Sequence, residues 1–285
     1  MIQETPDKFI VHTNHTYPPF NDMIFEDYFY HYFTNNKFEL NRIYLPVLWT
    51  NFYLSRNNGD GFMDDLQEFL NSLDRSKKYF TVLQYDDGIL QNISDLDIKI
   101  YGAGGGGAKN VPQKNLGQNP IPLLCKPSPH INKTRPRNIL ASFVGALNNR
   151  HVVRDAMVKE FKDKDGVLVR GNSGYQVFAD MMERSLFALC PRGYGATSFR
   201  ICEALQYGTI PVYIYDRPWI PWKGYFNFED IGILCDQSQI SSLYEQLKNV
   251  TDEQIRMMRE NGKMIYLDYF DYNGCSKKII KTANE

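Results

Sequence analysis

Residues 185–222 constrain the fold of this chain more than any other stretch, because they have the order strand, loop, helix, strand. Residues 186–190 form a short apolar run that is typical of a buried strand. Residues 210–215 form a second strand pattern, rich in β-branched and aromatic side chains. Residues 191–196 between them hold two glycines, which mark a loop. This order predicts two parallel strands joined by a right-handed crossover, the basic unit of an α/β fold.

The helix inside this stretch has clear start and stop signals. Thr197 or Ser198 can cap its first turn, and Gly208 can end it. The loop and the helix N-terminus then lie at the carboxyl edge of the strands, where unpaired N–H groups and the helix dipole favour anions. Thr197 and Ser198 are therefore candidate ligands of a bound anion.

Charged residues at this edge predict a nucleotide site. Arg192 lies in the loop and Arg200 in the first helical turn, so two guanidinium groups add to the backbone amides. Glu203 is on the same helical face as Arg200 and can accept hydrogen bonds from a ribose diol. Gly193 and Tyr194 complete the predicted donor-binding loop. Alternatively, Arg200 and Glu203 only pair with each other on a solvated helix face.

Four short runs give this stretch a recognisable pattern: Cys-Pro-Arg-Gly at 190–193, Ser-Phe-Arg at 198–200, Glu-Ala-Leu at 203–205 and Gly-Thr-Ile-Pro-Val at 208–212. The pattern resembles the exostosin (GT47-like) family of glycosyltransferases. The resemblance implies an α/β fold of the GT-B class, in which two Rossmann-like domains face each other across a cleft and the C-terminal domain binds the donor nucleotide. Thr209 stands where the family usually has a cysteine. The resemblance is specific over residues 137–225, looser before them and weak after Asn227.

The resemblance also covers the start of the second domain. Residues 138–144 form a strand pattern that Gly145 interrupts, and Arg150 and Arg154 follow at a spacing that puts them on one helical face. In the family, a strand ending in Phe-x-Gly and a following arginine help to hold the donor's phosphates, which implies this role for Gly145 and the two arginines. Alternatively, the arginines interact only with nearby carboxylates at the surface.

A pair of carboxylates in the N-terminal half is a candidate for acid–base chemistry. Residues 79–83 are a strand pattern that opens onto Asp86, Asp87 and Gly88. The exostosin family often has a similar acidic pair here, which implies that Asp86 or Asp87 is a catalytic base. Alternatively, the pair belongs to a polar turn with Gly88 at its tip.

Histidine is the second choice for the base. Residues 8–13 predict a first strand followed by a loop, so His12 and His15 lie at or just beyond the carboxyl end of that strand. Asn21 can cap the helix that follows. If neither aspartate serves, we expect His15 and then Glu26 to be the base, although a histidine at such a place is more often structural.

Two further patterns carry weaker signals. Asp95 and Asp97 match the Asp-x-Asp of metal-dependent GT-A transferases, but they precede a strand rather than follow one, so we predict no metal site there. Residues 98–108 contain GxGxxG, but neither a helix pattern nor a Lys-Ser/Thr pair follows. We predict a mobile loop that lines the cleft. We therefore expect no metal and no other cofactor.

Prolines divide the chain, with six of them between residues 110 and 137. We predict an N-terminal acceptor-side α/β domain over residues 1–136 and a C-terminal nucleotide-sugar-binding α/β domain over residues 137–265. Residues 266–285 are expected to pack back on the first domain, as the last helix of GT-B proteins commonly does.

Composition argues against several classes of partner. The 285 residues include 32 basic and 33 acidic ones, so the net charge of −1 gives no reason to expect nucleic acid or an anionic membrane. The five cysteines have no metal-ligand spacing, which predicts reduced thiols in a cytosol-like compartment. No signal peptide or anchor opens the sequence, whereas animal and plant exostosins are mostly anchored in the Golgi membrane. We expect a soluble, full-length protein of the cytoplasm, or of the host cytoplasm if it is viral.

Together these features predict an inverting glycosyltransferase that moves a sugar from a nucleotide-sugar donor to a hydroxyl group of an acceptor glycan. Resemblance to the short exostosin relatives encoded by large algal viruses implies UDP-xylose as the donor and a viral capsid N-glycan as the acceptor. Arginines and helix-tip amides would stabilise the leaving diphosphate, a task that GT-A enzymes give to a metal. Two alternatives stay open: a metal-dependent GT-A-type transferase that uses Asp95 and Asp97, and a non-catalytic carbohydrate-binding protein.

Overall fold

The computed structural model describes residues 1–12, 23–55, 62–128, 131, 135–147 and 152–285. The chain forms two compact units: the first comprises Met1–Lys126 together with Asp271–Glu285, and the second comprises Pro127–Phe270. The division falls after Lys126, earlier than residue 136, and the last segment of the first unit begins at Asp271 rather than at residue 266.

The described residues form parallel strands and α-helices. The strands are β1 (Ile43–Tyr44), β2 (Lys78–Leu83), β3 (Asp97–Gly102), β4 (Asn119–Pro120), β5 (Ile139–Val144), β6 (Val167–Arg170), β7 (Ser185–Pro191), β8 (Ile210–Tyr215) and β9 (Ile233–Asp236). The α-helices are α1 (Phe25–Thr34), α2 (Trp49–Ser55), α3 (Met63–Ser72), α4 (Gln113–Leu116), α5 (Val152–Phe161), α6 (Tyr175–Arg184), α7 (Phe199–Gln206), α8 (Ile240–Lys248), α9 (Asp252–Ile265) and α10 (Tyr272–Ala283).

The first unit contains a sheet with the strand order β1-β2-β3-β4, in which all neighbours are parallel. β2 and β3 pair along their whole length, from Lys78 opposite Asp97 to Leu83 opposite Gly102. Every residue of β2 after Lys78 is buried, as expected for a strand of a parallel sheet covered on both faces. The strand predicted over residues 79–83 is confirmed.

The C-terminal helix α10 packs on this same unit. Lys99 Nζ, on β3, donates to the Thr282 carbonyl over 2.6 Å. The hydroxyl groups of Tyr101 and Thr282 lie 2.8 Å apart, and the ring of Tyr272 meets that of Phe25 edge-on at 5.4 Å between centroids. The last helix of the chain thus packs against β3 of the first sheet.

The second unit contains a sheet with the strand order β6-β5-β7-β8-β9, again entirely parallel. The order reverses at β5, because β6 lies on one side of it and all later strands lie on the other. Open α/β sheets bind ligands beyond the carboxyl ends of the strands that flank such a reversal. The ends of β5 and β7 are therefore where this fold predicts a ligand.

The strand, loop, helix and strand predicted within residues 185–222 are confirmed. β8 has the predicted bounds, and β7 and β8 pair in parallel. Ser198 is the N-cap of α7, and its hydroxyl accepts a hydrogen bond from the Arg200 N–H over 3.3 Å. Gly208 has a φ of +64°, the left-handed conformation that commonly ends a helix.

Two Rossmann-like units on parallel sheets are what the GT-B class requires, so this fold class is confirmed.

The strand predicted over residues 8–13 is wrong for the residues that the structure describes. Asp7–Phe9 is a single 3₁₀ turn, and no strand follows it before residue 13. Phe9 is fully buried against the rings of Phe52 and Phe69, at 5.6 and 5.5 Å between centroids. Packing of one aromatic side chain into the core therefore outweighs the β propensity of its neighbours.

The helix predicted after Asn21 is present but begins later. α1 starts at Phe25 with Ile24 at its N-cap, and Asn21 lies outside the described residues. Across the described part of the chain, no helix combines the length and the apolar character needed to cross a membrane.

Candidate functional site

The second unit brings together two arginines and two phenylalanines that are far apart in sequence. Phe143 lies in β5, Arg154 in α5, Phe178 in α6 and Arg200 at the start of α7. We call these four residues the arginine cluster. It lies at the ends of β5 and β7, where the strand order reverses.

Arg200 packs against two aromatic rings. Its guanidinium carbon lies 5.3 Å from the ring centroid of Phe143 and 4.7 Å from that of Phe178. Nε donates to Glu203 Oε2 over 2.7 Å. Nη1 is buried and has no hydrogen-bond partner among the described residues. Because a buried N–H without an acceptor is destabilising, this atom marks a place for an acceptor from outside the chain.

Arg154 meets the same ring. Its guanidinium carbon lies 5.4 Å from the Phe143 centroid, and Nη1 donates to the Ala146 carbonyl over 2.8 Å. Its Nε is also buried without a partner among the described residues. Burial, and after it the charge of Arg200, lower the pKa of Arg154 to about 10. These contacts, with a carbonyl and a ring, differ from the surface ion pairs considered as the alternative.

The two unpaired N–H groups give the arginine cluster its chemical character. Two guanidinium groups share one aromatic ring, and the carboxylate of Glu203 contacts only Arg200 among the described residues. A phosphate group carries several acceptor oxygens and negative charge, so it can satisfy both N–H groups and offset the repulsion between the arginines. The cluster is therefore suited to a phosphate.

Gly145 keeps the cluster open. Its N–H donates to the Arg170 carbonyl over 3.1 Å, which holds the loop after β5. A Cβ at this position would lie 3.1 Å from Cζ of Phe143 and 3.5 Å from Nη2 of Arg200. Any side chain here would thus press on the ring and the guanidinium at the same time.

Arg192, predicted as a phosphate ligand, holds its own loop. It is 5% exposed, and its Nε and Nη2 donate to the carbonyls of Gly195 and Tyr194 over 2.9 and 2.8 Å. Nη1 forms an ion pair of 2.7 Å with Asp216. We therefore place Arg192 with the scaffold of the loop rather than with the phosphate ligands.

The other loop residues have distinct positions. The Gly193 N–H donates to the Thr197 carbonyl over 2.8 Å, which closes the loop, and Thr197 is buried. The Ser198 hydroxyl is engaged as the helix cap. Tyr194 is 53% exposed, so its ring lies at the surface of the protein.

Glu203 is paired, and the pair is largely buried. The Arg200 and Glu203 side chains are only 15% and 9% exposed. The two residues thus form the ion pair that the sequence left as an alternative, but not on a solvated face. The pair occupies one carboxylate oxygen, Oε2.

In the first unit, Asp86 and Asp87 lie in the turn after β2, with Gly88 at a φ of +84°. Asp87 is 2% exposed, and its Oδ1 accepts from the Lys109 N–H over 2.8 Å, which gives it a structural role. Asp86 is half-buried, and its carbonyl accepts from the Gly106 N–H over 2.9 Å. The glycine-rich segment therefore packs on this turn.

Two carboxylates, those of Glu26 and Asp27, lie in the first turn of α1. Glu26 is 1% exposed and accepts three hydrogen bonds: from the Gln84 N–H over 2.5 Å, and from the Thr50 hydroxyl and N–H over 2.7 and 2.9 Å. Burial nevertheless dominates and raises the pKa of Glu26 to about 7. In the sequence, the only sign of this site is a Glu-Asp pair at the start of a largely aromatic helix.

Asp27 links this helix to His12. Oδ1 of Asp27 lies 2.5 Å from Nδ1 of His12, and its Oδ2 accepts from Asn51 Nδ2 over 2.9 Å. With His31, these residues form a group of potential metal ligands whose atoms lie within 4.8 Å of one another. Two other predicted site residues, His15 and Arg150, lie outside the described residues.

Asp95 and Asp97 are engaged separately. Asp95 pairs with Arg75 at 2.8 Å and Asp97 with Arg42 at 2.7 Å, and each arginine lowers the pKa of its partner. Both residues precede or begin β3, at the amino edge of the sheet. The Asp-x-Asp pattern thus forms two ion pairs here.

Comparison with known proteins places the chain in a family. The Exostosin GT47 domain matches residues 107–250. A probable glycosyltransferase of Arabidopsis thaliana is 30% identical over 60% of this chain and 32% of its own length. Exostosin-1 of Mus musculus is 25% identical over 44% of this chain and 16% of its own length. The chain thus spans a third or less of these relatives.

Among solved structures, that of TarM is similar, with a TM-score of 0.45 and 9% identity over 90% of this chain and 58% of TarM.

Proposed function

Because this chain belongs to the exostosin GT47 family, we propose that it is an inverting glycosyltransferase, which moves a sugar from a nucleotide-sugar donor to a hydroxyl group of an acceptor glycan. The arginine cluster is the observation that carries the proposal. It offers two buried N–H groups that have no partner in the described part of the chain, and two positive charges, at the ligand-binding edge of a Rossmann-like sheet. A diphosphate would accept hydrogen bonds from these N–H groups and balance the two positive charges.

In such a transfer, the acceptor oxygen attacks the anomeric carbon while the bond from that carbon to the diphosphate breaks. Negative charge grows on the leaving diphosphate. Arg154 and Arg200 are held by Phe143 before any ligand arrives, so they need little rearrangement to stabilise that charge. We assign them the task of holding the phosphates, and no metal ion is required in this scheme.

Glu203 is proposed to serve the donor in two ways. Oε2 orients Arg200, and the second carboxylate oxygen accepts from the ribose diol. Tyr194, an exposed residue of the loop, is proposed to stack on the base or the sugar.

We propose UDP-xylose as the donor and a viral capsid N-glycan as the acceptor, both on the resemblance to short algal-virus relatives. A cytoplasmic location is proposed on the same ground and on the five buried cysteine thiols. Of the two aspartates predicted from sequence, Asp86 is the better candidate for the base, because Asp87 is buried and accepts a hydrogen bond from the Lys109 N–H.

A donor panel tests the proposal. Purified protein is titrated with UDP, uridine, UDP-xylose, UDP-glucose and GDP-sugars, and binding is measured by calorimetry and turnover by release of free nucleotide. We expect UDP to bind more tightly than uridine, and UDP-xylose to be turned over in the presence of EDTA. Turnover that EDTA abolishes would show that a metal ion takes part in the reaction and would contradict the metal-free scheme. Glycan binding without nucleotide binding would support a carbohydrate-binding protein.

A further inference from the structure

The start of α1 holds polar residues that the donor site does not use. We infer that His12, oriented by Asp27, is the base that takes the proton from the attacking hydroxyl group. The inference rests on the proposed function, since it names a group for the same reaction.

His12 and Asp27 form a directed pair. His12 Nδ1 lies 2.5 Å from Asp27 Oδ1, and 45% of the His12 side chain is exposed while Asp27 is buried. An ionised carboxylate only accepts, so this contact places the imidazole proton on Nδ1 and leaves the lone pair on Nε2. The ring thus has the tautomer that a general base needs.

Asn51 holds the carboxylate of this pair, and two aromatic rings neighbour the imidazole. Asn51 Nδ2 donates to Asp27 Oδ2 over 2.9 Å, so the carboxylate cannot turn freely. The ring of His31 stacks on that of His12 at 5.2 Å and 19°, and the Tyr30 ring lies 5.2 Å away at 58°. Among the described residues, the titratable groups facing His12 are therefore Asp27, Tyr30 and His31, all on α1.

The pair lies at the carboxyl edge of the first sheet. The Phe25 N–H, in the first turn of α1, donates to the Gln84 side chain over 2.7 Å, and Gln84 directly follows β2. This is the edge at which α/β proteins bind substrates. Glu26 lies at the same place, but it is 1% exposed and accepts three hydrogen bonds, so it cannot meet a substrate.

The proposed step is a proton transfer coupled to displacement. The acceptor O–H gives its proton to His12 Nε2 as its oxygen bonds to the anomeric carbon. The bond from that carbon to the diphosphate oxygen breaks, and the nucleoside diphosphate leaves with the electron pair. The imidazolium lies against the Asp27 carboxylate, which stabilises it. Loss of the proton to water then restores His12.

The experiment uses water as the acceptor and follows hydrolysis of UDP-xylose, or of whichever UDP-sugar the wild type turns over. The variants are His12→Gln, His12→Ala and Asp27→Asn. His31→Gln is the matched control, because His31 is an exposed histidine beside His12 that no hydrogen bond of the described residues joins to Asp27. UDP affinity is measured for each variant.

We expect His12→Gln to lower kcat by about 10²–10⁴-fold, the usual contribution of a general base, with UDP affinity unchanged. Asp27→Asn lowers kcat as well, because the tautomer is no longer fixed. Added imidazole restores part of the turnover of His12→Ala but not that of Asp27→Asn, and a purely structural histidine would show no such rescue. His31→Gln lowers kcat much less than His12→Gln does.

Four results would overturn the inference. One is wild-type kcat in a His12→Gln variant that binds UDP. Another is a large loss in Asp86→Asn with no loss in His12→Gln, which assigns the base to Asp86. A third is equal loss in His12→Gln and His31→Gln together with EDTA sensitivity, which points to a cation held by His12, Asp27 and His31. Absence of any wild-type turnover or nucleotide binding is the fourth, and it refutes the proposed function before any variant is compared.

Discussion

Arg200 and Glu203 form an ion pair of 2.7 Å across one turn of α7, and both side chains are largely buried. Removing one member of such a pair leaves the other charge without its partner. Glu203 therefore bears on nucleotide binding through Arg200 as well as through any contact of its own with the ribose. The two effects are separable, because only the first concerns the phosphates.

Glu203→Gln should weaken UDP binding by about 1.5–3 kcal/mol, the range for hydrogen bonds to charged groups. Glutamine keeps the size of the side chain but not its charge. Calorimetry with UDP and uridine separates the two roles: a ribose contact reduces both affinities, whereas an effect through Arg200 reduces only that for UDP. Unchanged affinity for UDP in the folded variant would remove Glu203 from the site.

Arg154→Gln and Arg200→Gln should each lower UDP affinity at least tenfold, or about 1.4 kcal/mol, while uridine affinity changes little. Lysine at either position should not restore binding, because its ammonium lacks the planar fork that contacts two oxygens and stacks on Phe143. Arg256→Gln is the control, since that arginine pairs with Glu253 and Glu260 on the exposed face of α9. Equal losses for uridine and UDP would instead indicate a structural role.

Glu26 should make the first unit less stable as the pH rises. Burial raises its pKa from 4.5 to about 7 in the folded protein. A folded-state pKa above the unfolded value gives stability that is complete below pH 4.5 and lost as the pH rises through about 7. The difference amounts to about 3 kcal/mol, at roughly 1.4 kcal/mol for each pKa unit.

Denaturant unfolding between pH 4.5 and 8 measures this effect. The free energy of unfolding of the wild type should fall with pH, and that of Glu26→Gln should fall less. Glu39→Gln, which replaces an exposed glutamate of the same unit, should follow the wild type. Parallel curves for wild type and Glu26→Gln would show that Glu26 has an ordinary pKa.

Gly104→Ala should destabilise the first unit by about 1–3 kcal/mol, the usual cost of overpacking. A Cβ at Gly104 would lie 2.3 Å from the Asp86 Cα, so the backbone of the turn or of the glycine-rich segment must shift. In Gly171→Ala the new Cβ would meet only the Leu147 side chain, at 3.8 Å, and thermal unfolding should hardly change. A similar melting temperature for both variants would contradict the close packing of the two segments.

Local pattern was enough to predict the central unit of the second sheet, because Ser198, Gly208 and the apolar runs act over a few residues. The arginine cluster was predictable only in part. Arg200 was named from its place in α7, but its meeting with Arg154 over Phe143 depends on strand order, which no local pattern contains. The sequence places Arg192 in the loop and so predicts a phosphate ligand, but it does not show that the guanidinium turns towards Gly195, Tyr194 and Asp216.

The link between His12 and Asp27 escaped sequence reasoning for a related reason. The expected strand over residues 8–13 put His12 at the end of a β-strand, whereas Phe9 is drawn into the core and the segment forms a turn. Glu26 and Asp27 are charged residues in an apolar helix, and their burial depends on donors from Thr50, Asn51 and Gln84. Such networks depend on tertiary structure.

The assignment of Asp271–Glu285 to the first unit has a consequence for biosynthesis. A ribosome synthesises the whole of Pro127–Phe270 before it reaches α10, whose Thr282 contacts Lys99 and Tyr101 on β3. The second unit is therefore complete without the last segment, while the first unit lacks one of its helices until the end of the chain is made. Nascent chains that end at residue 270, followed by a linker long enough to fill the ribosomal exit tunnel, should contain a protease-resistant second unit and a protease-sensitive first unit, the reverse of the usual N-terminal-first order.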